Sequence, residues 1–376
     1  MREDTCPDCC WPVSTESSRQ LKYRVSILHL EKEVLTHEQC DNPRPHIVKL
    51  VFQEPDRIEL IEERVPEPGP GQILCAAQKS LISTGTELAC LKGRFDEGTV
   101  WSSWVRYPFY PGYSMAAQVL ETGSGVEGIK VGDRIICPVG HRQYFLADYK
   151  EAALIPDSIR DEEAVFTQIA KVALLGVLRA EPAFGERVGI VGLGLIGQLV
   201  IQYLNAGGAR QIIAIAPESS RMDQARRSGA TDLLNLPVAE ALGPIEELTG
   251  GRMLDTIYDV TGSYAVLPYC TQLIRDLGKV ILLGDSTEPS KQTIGPKAVF
   301  NSVSILGIHG RMMEGFKGWT EADMNQFIFE SIRQGKLNVA SLITEETSPL
   351  EAVSVYSRLA GRKSDFMGVL FDWTQL

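Results

Sequence analysis

Apolar positions cluster at Val188, Ile190 and Val191 within RVGIVGLGLIG, Arg187–Gly197, and then give way to Gly192-x-Gly194-x-x-Gly197. A short unbroken apolar run closed by glycine reads as a buried parallel strand, and the pattern through Gln198–Asn205 predicts a helix. A second apolar run, Gln211–Ala216, follows at the spacing of a strand–helix–strand unit. Strand patterns at Thr256–Val260, Val280–Gly284 and Ser304–Ile308 then alternate with helical patterns. The helical stretches are Arg221–Ser228, Val238–Thr249, Ala265–Arg275 and Thr320–Gln334. That alternation predicts a doubly wound parallel sheet, an α/β architecture.

Upstream the period changes to two. From Pro45, HIVKLVFQEPDRIELIEERVPEPGPGQILCAAQKSLIS alternates apolar and polar residues around a Pro/Gly turn at Pro66–Gly71. Gly112–Glu121, Arg134–Pro138 and Tyr144–Leu154 continue as strands, so this region predicts a mostly antiparallel β-barrel. Asp161–Glu181 predicts a helix with Ala164, Ile169, Val172, Ala173 and Val177 on its apolar face. A last helix at Glu351–Gly361 and a last strand at Gly368–Trp373 close the chain. The expected organisation is an extension over 1–45, a barrel domain over 46–154 and a nucleotide domain over 155–305. Residues 306–376 then return to complete the barrel domain.

The glycines carry the first chemistry. Gly192 permits a tight turn, Gly194 lets backbone approach a pyrophosphate, and Gly197 allows close helix–strand packing. With Leu195 and Ile196, they open a helix whose free N–H groups attract phosphate. This is a dinucleotide site in its proper context, strand before and helix after.

Composition narrows the partners. A chain of 376 residues has room for two domains, and a net charge of −11 argues against nucleic acid or an anionic membrane. No apolar run approaches the roughly 18–20 residues of a membrane span, and the start carries no signal-peptide core. The expectation is a soluble cytoplasmic protein with reduced thiols and a small-molecule substrate. Among 8 cysteines and 5 histidines, Cys6-x-x-Cys9 with Cys10, and His37-x-x-Cys40, have zinc-compatible types. They lack the hydrophobic and aromatic spacing of a finger, and incidental thiols in an extension are the preferred reading.

PEPGPGQIL, STGTEL, Gly112, GVEGIKVGDRI, ALIPD, VGLGLIG, YDVTGS and GKVILLG occur in that order. Over about residues 46–376 they resemble the medium-chain dehydrogenase/reductase superfamily. The resemblance implies a GroES-like catalytic domain interrupted by a Rossmann domain, with the active site in the cleft between them. SLISTGTEL, Gly112-Tyr113 and His141 resemble its zinc-lacking branch, similar to bacteriochlorophyllide a dehydrogenase. Where zinc-dependent relatives carry their three ligands, this chain has Thr84, Tyr113 and Gln168. The four-cysteine structural lobe is missing, which leaves Cys90 and Cys137 as packed thiols. No catalytic zinc is expected.

Without metal, side chains must move the proton. The candidates are Tyr113, His141, Lys171 and Glu87, beside Thr84. Tyr113 either carries the proton or fills the space a metal would take. His141 is a base or a wall residue. Glu87 reads first as an acceptor for turn N–H groups. Lys171 either lowers the phenol's pKa or packs its stem and reaches solvent. On the cofactor side, Ala216 stands where an NAD enzyme has its ribose-binding acid. Ser219, Ser220 and Arg221 can donate to a 2′-phosphate, so NADP is favoured, while Glu218 keeps NAD open. Thr261 and Gly284 line the same crevice from YDVTGS and GKVILLG.

The leading function is zinc-independent transfer of hydride between a nicotinamide cofactor and a secondary alcohol or ketone. The substrate is expected to be a sugar, cyclitol or other specialised metabolite. A quinone or enoyl reductase of the same superfamily, and a nucleotide-binding protein without turnover, are the alternatives. The resemblance also implies a homodimer, paired through the edge strand Ser304–Ile308.

Overall fold

The computed structural model describes residues 46–65, 67–217, 220–361 and 365–376. The cysteine and histidine pairs before position 45, together with Glu218 and Ser219, lie outside the described residues.

Two sheets and a hairpin make up the β-structure. A hairpin joins β1 (His46–Glu54) to β2 (Arg57–Arg64). β3 (Gln72–Ile82), β4 (Met115–Thr122), β5 (Arg134–Cys137), β6 (Tyr144–Asp148) and β7 (Ala153–Leu154) belong to a seven-stranded sheet. β8 (Arg187–Val191), β9 (Gln211–Ile215), β10 (Asp232–Leu234), β11 (Leu254–Asp259), β12 (Ile274–Leu282) and β13 (Ser304–Gly307) form the other sheet. Its order is β10-β9-β8-β11-β12-β13, all parallel, which places the topological switch between β8 and β11. β14 (Ile343–Thr347) and β15 (Gly368–Asp372) then return to the first sheet, with β15 antiparallel to β3. The expected α/β class, a GroES-like unit plus a doubly wound one, is the one observed.

Helices set the site elements in place. α1 (Thr84–Lys92) follows β3 directly, in the segment between the β3 and Gly112 motifs. α2 (Thr167–Ala180) crosses from the first sheet to the second, and α3 (Leu195–Ala206) follows β8. α4 (Met222–Ser228) follows β9, α5 (Glu321–Arg333) packs on α2, and α6 (Ala352–Gly361) lies against α1.

Three predicted helices come out differently, and the one expected over Val238–Thr249 keeps its helix only from Leu242, after a separate turn at Val238–Glu240. The helix expected over Asp161–Glu181 breaks after Ala164, because Val165 and Phe166 close a separate turn before α2 begins. The helix expected over Ala265–Arg275 shrinks to Leu267–Cys270. There Leu273 and Ile274 are drawn into the core, and Ile274 pairs with Leu254 as the start of β12. Sheet pairing overrides the local helical period at this point.

The turn after β8 is closed by contact of backbone with backbone. A methyl group on Gly197 would stand 2.1 Å from the Gly192 carbonyl oxygen, and Gly192 itself has φ +98°. We expect Gly197→Ala to lower unfolding free energy by about 1–3 kcal/mol and to weaken nucleotide binding, read by denaturant titration and cofactor fluorescence. Unchanged stability and affinity would show that the turn can open without cost.

Candidate active site

The N-terminus of α1 is the centre of the first half of the site. Ser83 stands at its N-cap position, and the Glu87 carboxylate accepts the Ser83 backbone N–H at 2.7 Å. This is the turn-binding role read for Glu87 from the sequence. The carboxylate also accepts from the Tyr356 hydroxyl of α6 and faces His141 Nε2 at 3.1 Å. His141 Nδ1 lies 2.8 Å from Ser80 Oγ, which accepts the Trp373 indole N–H at 2.8 Å. A neutral imidazole satisfies every member: Ser80 O–H donates to Nδ1, and Nε2–H donates to Glu87. All these groups are buried, with His141 and Glu87 each 1 % exposed.

His141 is therefore committed through both ring nitrogens and has no free nitrogen to exchange a proton with a substrate. Gly112 explains why the ring fits. It has φ +92°, and a methyl group there would stand 2.8 Å from His141 Cδ2.

Tyr113, half-buried beside this network, donates its hydroxyl to Ser83 Oγ at 2.6 Å. Burial pushes its phenol up to about 12; the Ser83 hydroxyl opposes that rise, the Glu87 charge adds to it, and the Thr86 hydroxyl opposes it more weakly. The lysine expected to support the phenol has a carboxylate partner of its own. Lys171, 1 % exposed on α2, is ion-paired with Glu321 at 3.0 Å, and burial holds its pKa below the ordinary lysine value. Thr84 is buried in the first turn of α1, and Gln168 is half-buried near the start of α2. Ser114, next to Tyr113, donates to the Val165 carbonyl at 2.5 Å and so ties this strand to the approach of α2.

The three ligand positions of a zinc-binding fold thus present a hydroxyl, a protonated phenol and an amide. None is a thiolate, imidazole or carboxylate, so the donor set does not fit zinc. Among the described residues no group of three His, Cys, Asp or Glu is placed to hold a metal ion.

The second half of the site fits a dinucleotide. Gly194 occupies the N-cap of α3 with no side-chain cap, which leaves first-turn amides of Leu195 and Ile196 for an anion. Across the turn, Asp259 Oδ1 accepts from Thr261 N at 3.0 Å and Thr261 Oγ1 at 2.6 Å. Burial raises the Asp259 pKa, and these bonds hold Thr261 against Gly192. A methyl group on Gly284 would stand 2.3 Å from Gly262 N, so the ends of β11 and β12 meet backbone to backbone. Arg221 reaches the same turn: its Nη1 lies 3.6 Å from where a Gly194 methyl would be. It also donates to the Phe366 carbonyl, and burial lowers its pKa. Ser220 is exposed beside it.

Sequence reasoning missed Ser80, Ser83, Thr86, Tyr356 and Trp373 as members of the site. Ser83 alone left a local signal, a hydroxyl residue just before a helix with an acid in its first turn. Ser80 and Thr86 lie within three residues of it, whereas Tyr356 and Trp373 come from the far end of the chain.

Residues 73–158 match the family model described as "Alcohol dehydrogenase GroES-like domain", and residues 196–327 match "Zinc-binding dehydrogenase". L-threonine 3-dehydrogenase of Pyrococcus horikoshii is 28% identical over 324 residues, covering 77% of this chain and 87% of its own. Among solved structures, 2R,3R-butanediol dehydrogenase from Bacillus subtilis superposes with a TM-score of 0.73 at 21% identity, covering 87% of this chain and 99% of that one. A zinc-binding dehydrogenase from Sinorhizobium meliloti, solved with NADP, superposes at 0.72 and 22% identity over 88% of this chain and all (100%) of that one. With the phosphate-binding turn intact, these two models and the dehydrogenase relatives support the medium-chain dehydrogenase/reductase superfamily, and the chain is an oxidoreductase of the alcohol dehydrogenase type.

Proposed function

We propose that this enzyme interconverts a secondary alcohol and a ketone with NADP and without zinc, using Tyr113 as the proton-carrying group. The substrate class is a sugar, cyclitol or other specialised metabolite. The observation that carries this reading is the phenol at the metal-ligand position, hydrogen-bonded to Ser83 beside Thr84. Bound nicotinamide supplies or accepts the hydride. The chain's own residues do the rest. The first turn of α3 holds the pyrophosphate, and Arg221, beside that turn, would meet a 2′-phosphate. Ser83 Oγ orients the Tyr113 hydroxyl, and Glu87 orients Ser83 by holding its N–H.

The raised phenol pKa bears on the protonation state of that hydroxyl. A group displaced upward to about 12 stays protonated throughout the neutral range. Tyr113 therefore serves ketone reduction as an acid: its O–H turns from Ser83 Oγ to the developing alkoxide, and the phenolate left behind takes a proton back from solvent. Alcohol oxidation through the same group needs the phenolate.

A homodimer belongs to the same reading. β13 is the outer strand of its sheet, and Val299 and Phe300, 84% and 88% exposed, sit on the loop that leads into it. Pairing two copies along β13 would cover an otherwise adhesive edge.

Three measurements bear on this. Tyr113→Phe keeps the ring and removes the hydroxyl; ketone reduction should fall about 10²–10⁴-fold while cofactor affinity holds, and a mild loss would remove Tyr113 from the role. Arg221→Ala should weaken NADPH by about 1.5–3 kcal/mol and leave NADH nearly unchanged, whereas equal losses would make the arginine structural. Active protein should contain far less than one zinc per chain by elemental analysis and keep its turnover in chelator. Activity lost to chelator and restored by zinc would overturn the proposal.

A further inference from the structure

Arg142 is a guanidinium without an acid. It follows His141 directly, and its backbone bridges to Lys49 of β1. Its Nε is buried with no hydrogen-bond partner, and among the described residues no carboxylate lies within ion-pair distance of it. Glu63 is the acid whose field reaches it, but that carboxylate is bonded to Lys49 Nζ. Two cations therefore share one anion in a half-buried setting, where Lys49 is 9% exposed. Burial lowers the Arg142 pKa, as expected of a charge that protein groups do not compensate.

A half-buried guanidinium without a carboxylate carries a desolvation cost that a bound anion would offset. It neighbours the segment that leads in sequence to Tyr113. A methyl group on Gly140 would stand 3.6 Å from Arg142 Nη2 and 2.8 Å from the Pro111 carbonyl, so the guanidinium lies along Tyr110–Pro111. Tyr110, 41% exposed, places its ring under Lys49 Nζ at 4.7 Å. Tyr113 is three residues further on, at most about 11 Å of extended chain.

We infer that Arg142, with Lys49 and the Tyr110 hydroxyl beside it, is an oxyanion-binding site for a carboxylate or phosphate group. Guanidinium geometry suits both groups, because its paired N–H donors match two oxygens at once. The anion is either free or the charged end of the substrate whose carbinol reaches Tyr113; the second case rests on the function proposed above, the first does not.

The probes are inorganic phosphate and acetate, titrated into the full chain already saturated with NADPH so that the glycine turn is occupied. Each should raise the melting temperature of the wild-type protein, and Arg142→Gln should weaken the anion at least tenfold. Arg142→Lys, which keeps charge but not the paired donors, should fall between. In anion-free buffer Arg142→Gln should melt no lower than wild type, because an uncompensated charge has been removed. A neutral polyol and its monophosphate then separate the two sources. Loss of a preference for the phosphorylated form in Arg142→Gln assigns the anion to the substrate, and an unchanged ratio with lost phosphate binding assigns it to a free ion. No anion response in wild type, an equal response in Arg142→Gln, or a marked drop in its anion-free melting temperature would overturn the site, whatever becomes of the dehydrogenase reading.

Discussion

A buried carboxylate that must be satisfied governs this molecule. Glu87 lies in the interior, and a carboxylate there is tolerated only when donors surround it. Its three partners come from separate parts of the chain: the Ser83 backbone, the His141 ring and the Tyr356 hydroxyl. Satisfying that one group therefore brings together the start of α1, the loop after β5, and α6. The aromatic faces around it, Phe52 and Phe371 against Tyr356 and His141, exclude water and leave the polar contacts no competitor.

The consequence for chemistry is a division of labour. His141, whose residue type suggests a catalyst, is consumed in holding Glu87, while the phenol of Tyr113 is set at the margin of the network by Ser83. Rigidity sits below and reactivity above. On the cofactor side the same principle is met with backbone instead of side chains. Gly197 and Gly284 each stand where a side chain would strike a neighbouring main chain, and Gly192 takes a left-handed φ of +98°. The turn is fixed by contact, and the helix amides keep their direction without a cap.

This contrast explains what could be read from the sequence. The glycine turn was legible because sterics act over a few residues and admit one residue type. The parallel sheet was legible because apolar runs recur between helical periods. The helix expected over Ala265–Arg275 was not, since Leu273 and Ile274 suit either structure and tertiary pairing decided. In the site, Glu87 and Tyr356 are 269 positions apart, and no local pattern announces such a bond. Lys171 was read as a cation for the phenol because it sits one helical turn beyond Gln168. Its partner Glu321 lies 150 positions away on α5, beyond the reach of any local period.

The last strand has a consequence for how the chain assembles. β15 lies between β14 and β3, and Trp373 just beyond it bonds Ser80, 293 positions earlier. The first sheet cannot close until nearly the whole chain exists. The six parallel strands, by contrast, lie in one uninterrupted stretch and depend on contacts closer in sequence. Contacts of short sequence separation form sooner than distant ones. During synthesis the nucleotide unit is thus free to form first, and β3 waits with an unpaired edge until the C-terminus arrives. The unit that contains most of the site residues is the last to become complete, so the enzyme gains its reaction centre in the final step of folding.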